Sequence, residues 1–284
     1  MALTPGMMLV RPSLHNDTAD NRAIFRRWTI MHFHDLLNLA APTPSSQGIV
    51  RTLRYSNSAG ELFYTIHAED VNIWGSDAYK NRSGRLDLEN TREVELGEEA
   101  VLSGEHRFEG KEEPMVWDIC NAEFAILEAP RDEKKDGVQS YHNIPFALLS
   151  PRGTKPTAPP CSLISLTYTS AEVHEKPSKQ LTTLKVGVAT YINAVLKDQA
   201  NGKVYATMYR HLPDSQPDMH PTIGEDKDGN GSWIVCIFVQ TEINDQMQES
   251  LKEGVKKVAE AARREGEGKW DVKVGIWRGE IFVS

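Results

Sequence analysis

A chain of 284 residues, 39% hydrophobic and 25% charged, has the make-up of a globular protein with room for one large domain or two of ordinary size. The net charge of −8, with no Lys/Arg-rich block to reverse it locally, argues against a nucleic-acid partner. No apolar run reaches the roughly 18 residues of a membrane span, so no membrane role is expected. No basic stretch followed by an apolar one marks a secretory signal, and the expected location is cytoplasmic. The cysteines, Cys120, Cys161 and Cys236, sit in or beside apolar runs at spacings that fit no zinc template, and their odd number argues against a disulfide framework. They read as buried packing residues of a reducing compartment.

The first apolar run, Met7-Met8-Leu9-Val10, reads as a strand. Capping residues from Asn16 to Asn21 precede a helix marked by Ile24, Trp28, Met31, Asp35 and Leu39 at spacings of three and four. Pro42 and Pro44 end it. Ile49 to Tyr55 and Leu62 to His67 read as a hairpin joined across Ser56-Asn57-Ser58-Ala59-Gly60. Asp70 is placed to cap a short helix carrying Val71, Trp74 and Tyr79. Residues 81–112 are charged and aperiodic and read as an insertion, and Trp117 to Ile126 as the last strand of this half. The order β-α-β-β-α-β is that of a ferredoxin-like unit. Residues 129–160, rich in Pro, have linker composition.

The second half repeats the first. Trp117-Asp118-Ile119 recurs as Trp270-Asp271-Val272, and the Gly48 to Tyr55 stretch as Gly202 to Tyr209. Phe63 and Ile66 correspond to Ile234 and Ile237, with the extra residues falling between His211 and Gly231. Such self-similarity implies two copies of one supersecondary unit, over residues 1–128 and 161–284. Leu163 to Tyr168, Val204 to Tyr209, Trp233 to Val239 and Trp270 to Val283 read as strands, the last with Gly275 or Gly279 at a bulge. Leu181, Leu184, Val188, Ile192 and Val195 mark one helix, which Gly202 ends. Asn244 caps another, with Met247, Leu251, Val255, Val258 and Ala262 on one face. The recurring Trp-Asp pairs read as packing at strand starts. A four-stranded sheet with helices on one face leaves the other face bare; two units burying those faces together give an α+β barrel within one chain. The expected state is then a monomer or a weak homodimer.

On a wheel of about 100° per residue, Trp28, His32, Asp35 and Leu36 fall within about 120° of Ile24, whereas His34 points away. His32 is therefore a candidate general acid or base, with Asp35 one turn on to orient its ring or raise its pKa. A core histidine satisfied by a carbonyl is the alternative. Arg51 and Tyr55 share a strand face. Tyr55 is a candidate supporting catalytic group, and Arg51, Tyr64 and His67, with the aromatic Trp28, Trp74 and Tyr79, are candidate substrate contacts. Arg54 and Arg51 read equally well as sheet-edge residues facing solvent. His32 and His34, two apart on a helix, serve a shared ion poorly, so no metal is expected. His67, His142 and His211 are available as haem ligands, but nothing singles one out, and no cofactor is expected. Asp226 to Gly231 imitates a calcium loop, yet its twelfth position is Ile237, where a bidentate Glu belongs, and it reads as a solvated loop.

The stretch Phe25-Arg26-Arg27-Trp28-Thr29-Ile30-Met31-His32-Phe33-His34-Asp35 resembles the first helix of EthD-like dimeric α/β-barrel proteins. That helix carries an aromatic residue, a Trp, then a His, an apolar residue, a Pro and an acid; here His34 stands where the Pro would be. Trp74-Gly75-Ser76-Asp77-Ala78-Tyr79 is similar to the family's Ser-x-x-Tyr helix. The resemblance covers residues 5–80. It implies cofactor-free cyclisation, isomerisation, decarboxylation or oxygenation of phenolic or polyketide-like molecules, and, for tandem fungal members, a place in secondary-metabolite biosynthesis. The expected activity is that of a cofactor-independent lyase, isomerase or cyclase on a hydrophobic small molecule. A non-catalytic binding or stress-response protein, and a cofactor-free or haem-dependent oxygenase, are the alternatives.

Overall fold

The computed structural model describes residues 3–46, 48–81, 86, 115–129, 162–170, 178–196, 204–212, 232–239, 241, 243–265 and 270–280. The first repeat comprises β1 (Gly6–Leu14), α1 (Ala19–Asn38), β2 (Ile49–Ser56), β3 (Leu62–Ala68), the four-residue α2 (Asp77–Lys80) and β4 (Cys120–Glu128). The second comprises β5 (Ser162–Ser170), α3 (Lys179–Leu196), β6 (Val204–His211), β7 (Ser232–Val239), α4 (Asp245–Glu265) and β8 (Trp270–Glu280). The strands close into one antiparallel barrel in the order β1-β3-β2-β8-β5-β7-β6-β4. Within each repeat this is the ferredoxin-like order, β4-β1-β3-β2 and β8-β5-β7-β6. The two sheets join edge to edge through equivalent seams. At one seam β2 pairs with β8, as in Tyr55 opposite Gly279; at the other β6 pairs with β4, as in His211 opposite Leu127. The α+β barrel built from two tandem units is thus present.

Alternation along the strands sorts the described side chains into two layers. Met7, Leu9, Leu53, Tyr55, Phe63 and Leu127 of the first repeat face inward, against Leu163, Tyr209, Ile234, Cys236, Phe238 and Trp277 of the second. Phe63 stacks on Trp277 with ring centroids 4.8 Å apart. The Trp277 indole lies back over Gly275 and donates to the Ser165 hydroxyl at 2.9 Å. The opposite faces pack on the helices: Met8, Val10, Tyr64 and Ile66 under α1, and Ile164, Leu166, Val235 and Ile237 under α3 and α4.

The helices begin where their caps lie. The Thr18 hydroxyl accepts the amide of Asn21 at 3.2 Å, and the Asn244 side chain accepts that of Met247 at 2.9 Å. Buried Leu181, Leu184, Val188 and Ile192 set α3 on the sheet, and Leu251, Val255 and Ala259 set α4 beside it. Among the described residues, the place that α4 takes in the second repeat is filled in the first by a 3-10 turn over Val71–Gly75, capped by Asp70, and by α2, capped by Ser76.

Three local expectations are corrected. Trp117 and Asp118 do not open β4; they form a 3-10 turn with Val116, because the Asp118 carboxylate turns back to accept the Met115 amide at 2.9 Å. Trp270, its partner in the repeat, does begin β8 and packs on Tyr168. Gly275 carries no bulge, since β5–β8 pairing runs unbroken through it; the missing side chain makes room for Trp277. The irregularity lies in β2, between Ile49 and Arg51. The linker, most of the 81–112 insertion, the Asp226–Gly231 loop, Cys161, His142 and Gly202 lie outside the described residues. No helix among the described residues is long and apolar enough to cross a membrane.

Gly6 is fixed by backbone: a Cβ there would lie 2.1 Å from the Leu127 carbonyl oxygen, across the β1–β4 ladder. Gly6→Ala is expected to destabilise the fold by about 1–3 kcal/mol, as overpacking does. Gly75→Ala, which meets nothing within 4 Å, should leave the melting temperature unchanged. Equal melting curves for both variants would contradict this packing.

Candidate active site

A cavity of about 220 Å³ opens between α1 and the outward face of the first-repeat sheet. The sheet supplies its floor: Met8 and Val10 of β1, Tyr64 and Ile66 of β3, Ala122 and Phe124 of β4. These residues are ladder neighbours of one parity, Met8 opposite Ile66, and Val10 opposite both Tyr64 and Phe124. The α1 residues Phe25, Trp28, His32 and Phe33 form one wall, and Tyr79, Lys80, Met115 and Trp117 complete the rim. Trp117, 38% exposed, stands edge-on to Phe124.

His32 lies face to face on Trp28, with ring centroids 4.5 Å apart and planes 11° from parallel. The i, i+4 spacing on α1 brings the two rings together. Trp28 is buried and His32 half-buried, so the indole holds the imidazole at the cavity wall. The two phenols of the cavity have their protons engaged in the wall. The Thr29 hydroxyl donates to the Phe25 carbonyl at 2.8 Å, so the 3.3 Å contact between Tyr64 and Thr29 is one in which Tyr64 donates. The Tyr79 hydroxyl donates to the Met8 sulfur at 3.3 Å. Burial pushes the Cys120 thiol up to about 12, so this cavity residue stays a thiol at neutral pH and is no nucleophile. His32 is then the cavity group whose residue type ordinarily exchanges protons near neutrality.

Of the residues singled out in the sequence, Trp28, His32, Tyr64 and Tyr79 come together here. Asp35, half-buried on α1 one turn beyond His32, is not among the cavity residues. Trp74 is buried edge-on to Tyr79 at 5.1 Å, behind the lining. Arg51, Tyr55 and His67 are on the other side of the sheet. Their parity on β2 and β3 is that of Leu53 and Phe63, and they point into the barrel. Tyr55 therefore does not support His32, and Arg51 and His67 do not contact a molecule in this cavity; a full sheet thickness separates them. Arg54, of the opposite parity, is 9% exposed, and Arg51 5%; neither faces solvent at a sheet edge. Lys80, Cys120 and Met115 were not anticipated. The parity of Met8 and Val10 marks one face of the floor, but Lys80 and Met115 arrive from irregular segments that carry no periodic signal.

Inside the barrel, an Arg51 Nη atom lies 3.2 Å from His67 Nδ1, and His67 Nε2 lies 3.1 Å from the Thr65 hydroxyl. Complete burial, and then the neighbouring guanidinium, hold the His67 pKa well below the ordinary histidine range. The ring is neutral, accepts from Arg51 at Nδ1 and donates from Nε2 to Thr65. His34 is engaged locally, with Asn38 donating to its carbonyl at 2.9 Å. Among the described residues, no three His, Cys, Asp or Glu side chains converge as a metal site would need.

No protein-family model matches the chain, and no curated protein does. Solved structures give likenesses of chain path. An anthrone oxidase-like protein is 9% identical, with a TM-score of 0.48, over 97% of this chain and 92% of its own. A heme-binding protein from Thermus thermophilus is 8% identical, with a TM-score of 0.38, over 98% of this chain and 91% of its own. The architecture implied by the EthD-like resemblance rests on the strand order itself.

A histidine neutral in the fold and chargeable when unfolded makes stability depend on acid. Below about pH 6.5 the unfolded chain binds a proton that folded His67 refuses, so stability falls as pH falls, by up to about 1.4 kcal/mol per pH unit from this group. Denaturant unfolding of His67→Asn between pH 7 and 5 should give a shallower slope than the parent protein. Parallel slopes would show that His67 does not carry this dependence.

Proposed function

We propose that the chain is a cofactor-independent enzyme, a lyase, isomerase or cyclase, that moves a proton on a hydrophobic phenolic or polyketide-like small molecule bound between α1 and the first-repeat sheet. The observation that carries this reading is the His32 imidazole laid on Trp28 at the wall of a largely apolar and aromatic cavity with Lys80 at its rim. A flat, conjugated molecule would pack between Trp28, Phe25 and the floor, losing water as it enters. His32 would take a proton from carbon beside a carbonyl, or from a phenol, and return it elsewhere on the same molecule. Stacking fixes the plane of the imidazole, so its nitrogens exchange protons with a bound molecule in a set direction. Lys80 at the rim is placed to attract an enolate or phenolate oxygen as charge develops.

The second repeat supports the same assignment by contrast, because its matching helix α3 carries no histidine. Edge pairing of the two repeats closes the barrel within one chain, which favours a monomer or a weak homodimer. A role in secondary-metabolite biosynthesis rests on the EthD-like resemblance alone.

The test is turnover, followed by mass spectrometry, with a panel of phenols and linear polyketones and with small-molecule extracts. General acid–base groups contribute roughly 10²–10⁴-fold in rate. His32→Ala should lower turnover by about that factor with the melting temperature within a few degrees of the parent, and His34→Ala should change little. Intact turnover, or loss of the fold, in His32→Ala would make His32 a packing residue.

A further inference from the structure

Arg51 is 5% exposed, and its position inside the barrel is unlike that of arginines with carboxylate partners. Arg11 contacts Glu123, Arg22 contacts Asp17, Arg210 contacts Glu128 and Arg278 contacts Asp245, all of them exposed or part-buried. Arg51, more buried than any of these, has His67 as its polar contact, and among the described residues its Nε finds no partner. The desolvation of a guanidinium is offset only by opposite charge and by completed hydrogen bonds, and a neutral imidazole supplies neither in full.

The barrel does not need this cation for its construction. The repeat places Tyr205 at the position of Arg51 and Phe238 at that of His67. The register agrees: Arg51 is opposite His67 on β2 and β3, and Tyr205 is opposite Phe238 on β6 and β7. Cys236 similarly stands in the place of Thr65. At the places of His67 and Thr65 the second repeat has Phe238 and Cys236, both buried in the barrel interior, whereas the first has His and Thr linked in a row with Arg51. The β2 register irregularity falls immediately before Arg51 in the chain.

We infer that the first-repeat end of the barrel interior is a binding site for a small oxyanion, a carboxylate or an inorganic one, held by Arg51 and set in place by His67 and Thr65. The Nε–H and the remaining Nη protons form the fork that grips two oxygens of such a group. His67 fixes one edge of the guanidinium, and Thr65, which accepts from His67 Nε2, has its own hydroxyl proton to donate. The site lies across the sheet from the α1 cavity, so it holds a second molecule and not the reacting one. It stands independently of the proposed reaction.

Melting temperatures measured against sodium acetate and sodium phosphate, each beside sodium chloride at equal ionic strength, test this. The parent protein should gain several degrees, saturably, with acetate or phosphate beyond the chloride response. The stronger of the two identifies the site as one for carboxylates or for inorganic oxyanions. Arg51→Met should respond to both only as it does to chloride, and Arg51→Lys should keep part of the gain. A gain in Arg51→Met equal to the parent's, or a parent response no different from chloride, would overturn the inference. Should Arg51→Met fail to fold, the Nε–H resonance of Arg51 in the parent protein decides: it must move saturably with acetate or phosphate, and an unmoved signal overturns the inference.

Discussion

Barrel closure governs everything else in this molecule. Two four-stranded sheets, each with two faces to bury, meet at the β2–β8 and β4–β6 seams and enclose their inward side chains. Tyr55, Tyr209, Phe238 and Trp277 fill that interior from both repeats. A closed barrel has no free strand edge, and its inner layer is mostly close-packed apolar side chains, with Arg51, Thr65 and His67 the polar exception in the first repeat. The cavity with room for a flat organic molecule lies on the outer face, under α1.

The outer face is where the repeats differ. In the second, α3 and the 21-residue α4 cover the sheet side by side, and the Tyr191 ring lies directly over Gly254 where they touch. In the first, α1 is long, but the described residues of its companion are a 3-10 turn and a four-residue helix. Among the described residues these leave part of the sheet beneath uncovered, and the cavity occupies that ground. Two buried or half-buried histidines follow the same division. His32 lies at the outer cavity and His67 inside the barrel, and neither has a histidine counterpart in the second repeat.

Much of this was legible in the sequence. The Gly…Tyr offset identified Tyr55 and Tyr209, which occupy equivalent positions on β2 and β6 and are both fully buried. The 3.6-residue period of α1 put Trp28 and His32 on one face, where they stack. What pattern alone left open was which strand parity faces inward. Met7-Met8-Leu9-Val10 is apolar on both parities because both faces of the sheet are buried, so alternation showed that Arg51 and Tyr55 share a face without showing which. The Trp-Asp repetition misled in the first half. Two identical dipeptides adopt different structures, because Asp118 caps a turn that places Trp117 at the cavity rim.

The outer cavity of the first repeat, with His32 in its wall, is where an organic molecule is proposed to bind. The most direct measurement is an NMR titration of the His32 ring with 2-naphthol, in the parent protein and in Ala122→Leu, which fills the cavity from its floor. The expected result is a saturable change of the His32 signals in the parent and none in the filled variant, with the fold intact in both. Equal binding by the two proteins, or binding that leaves His32 unmoved, would contradict it.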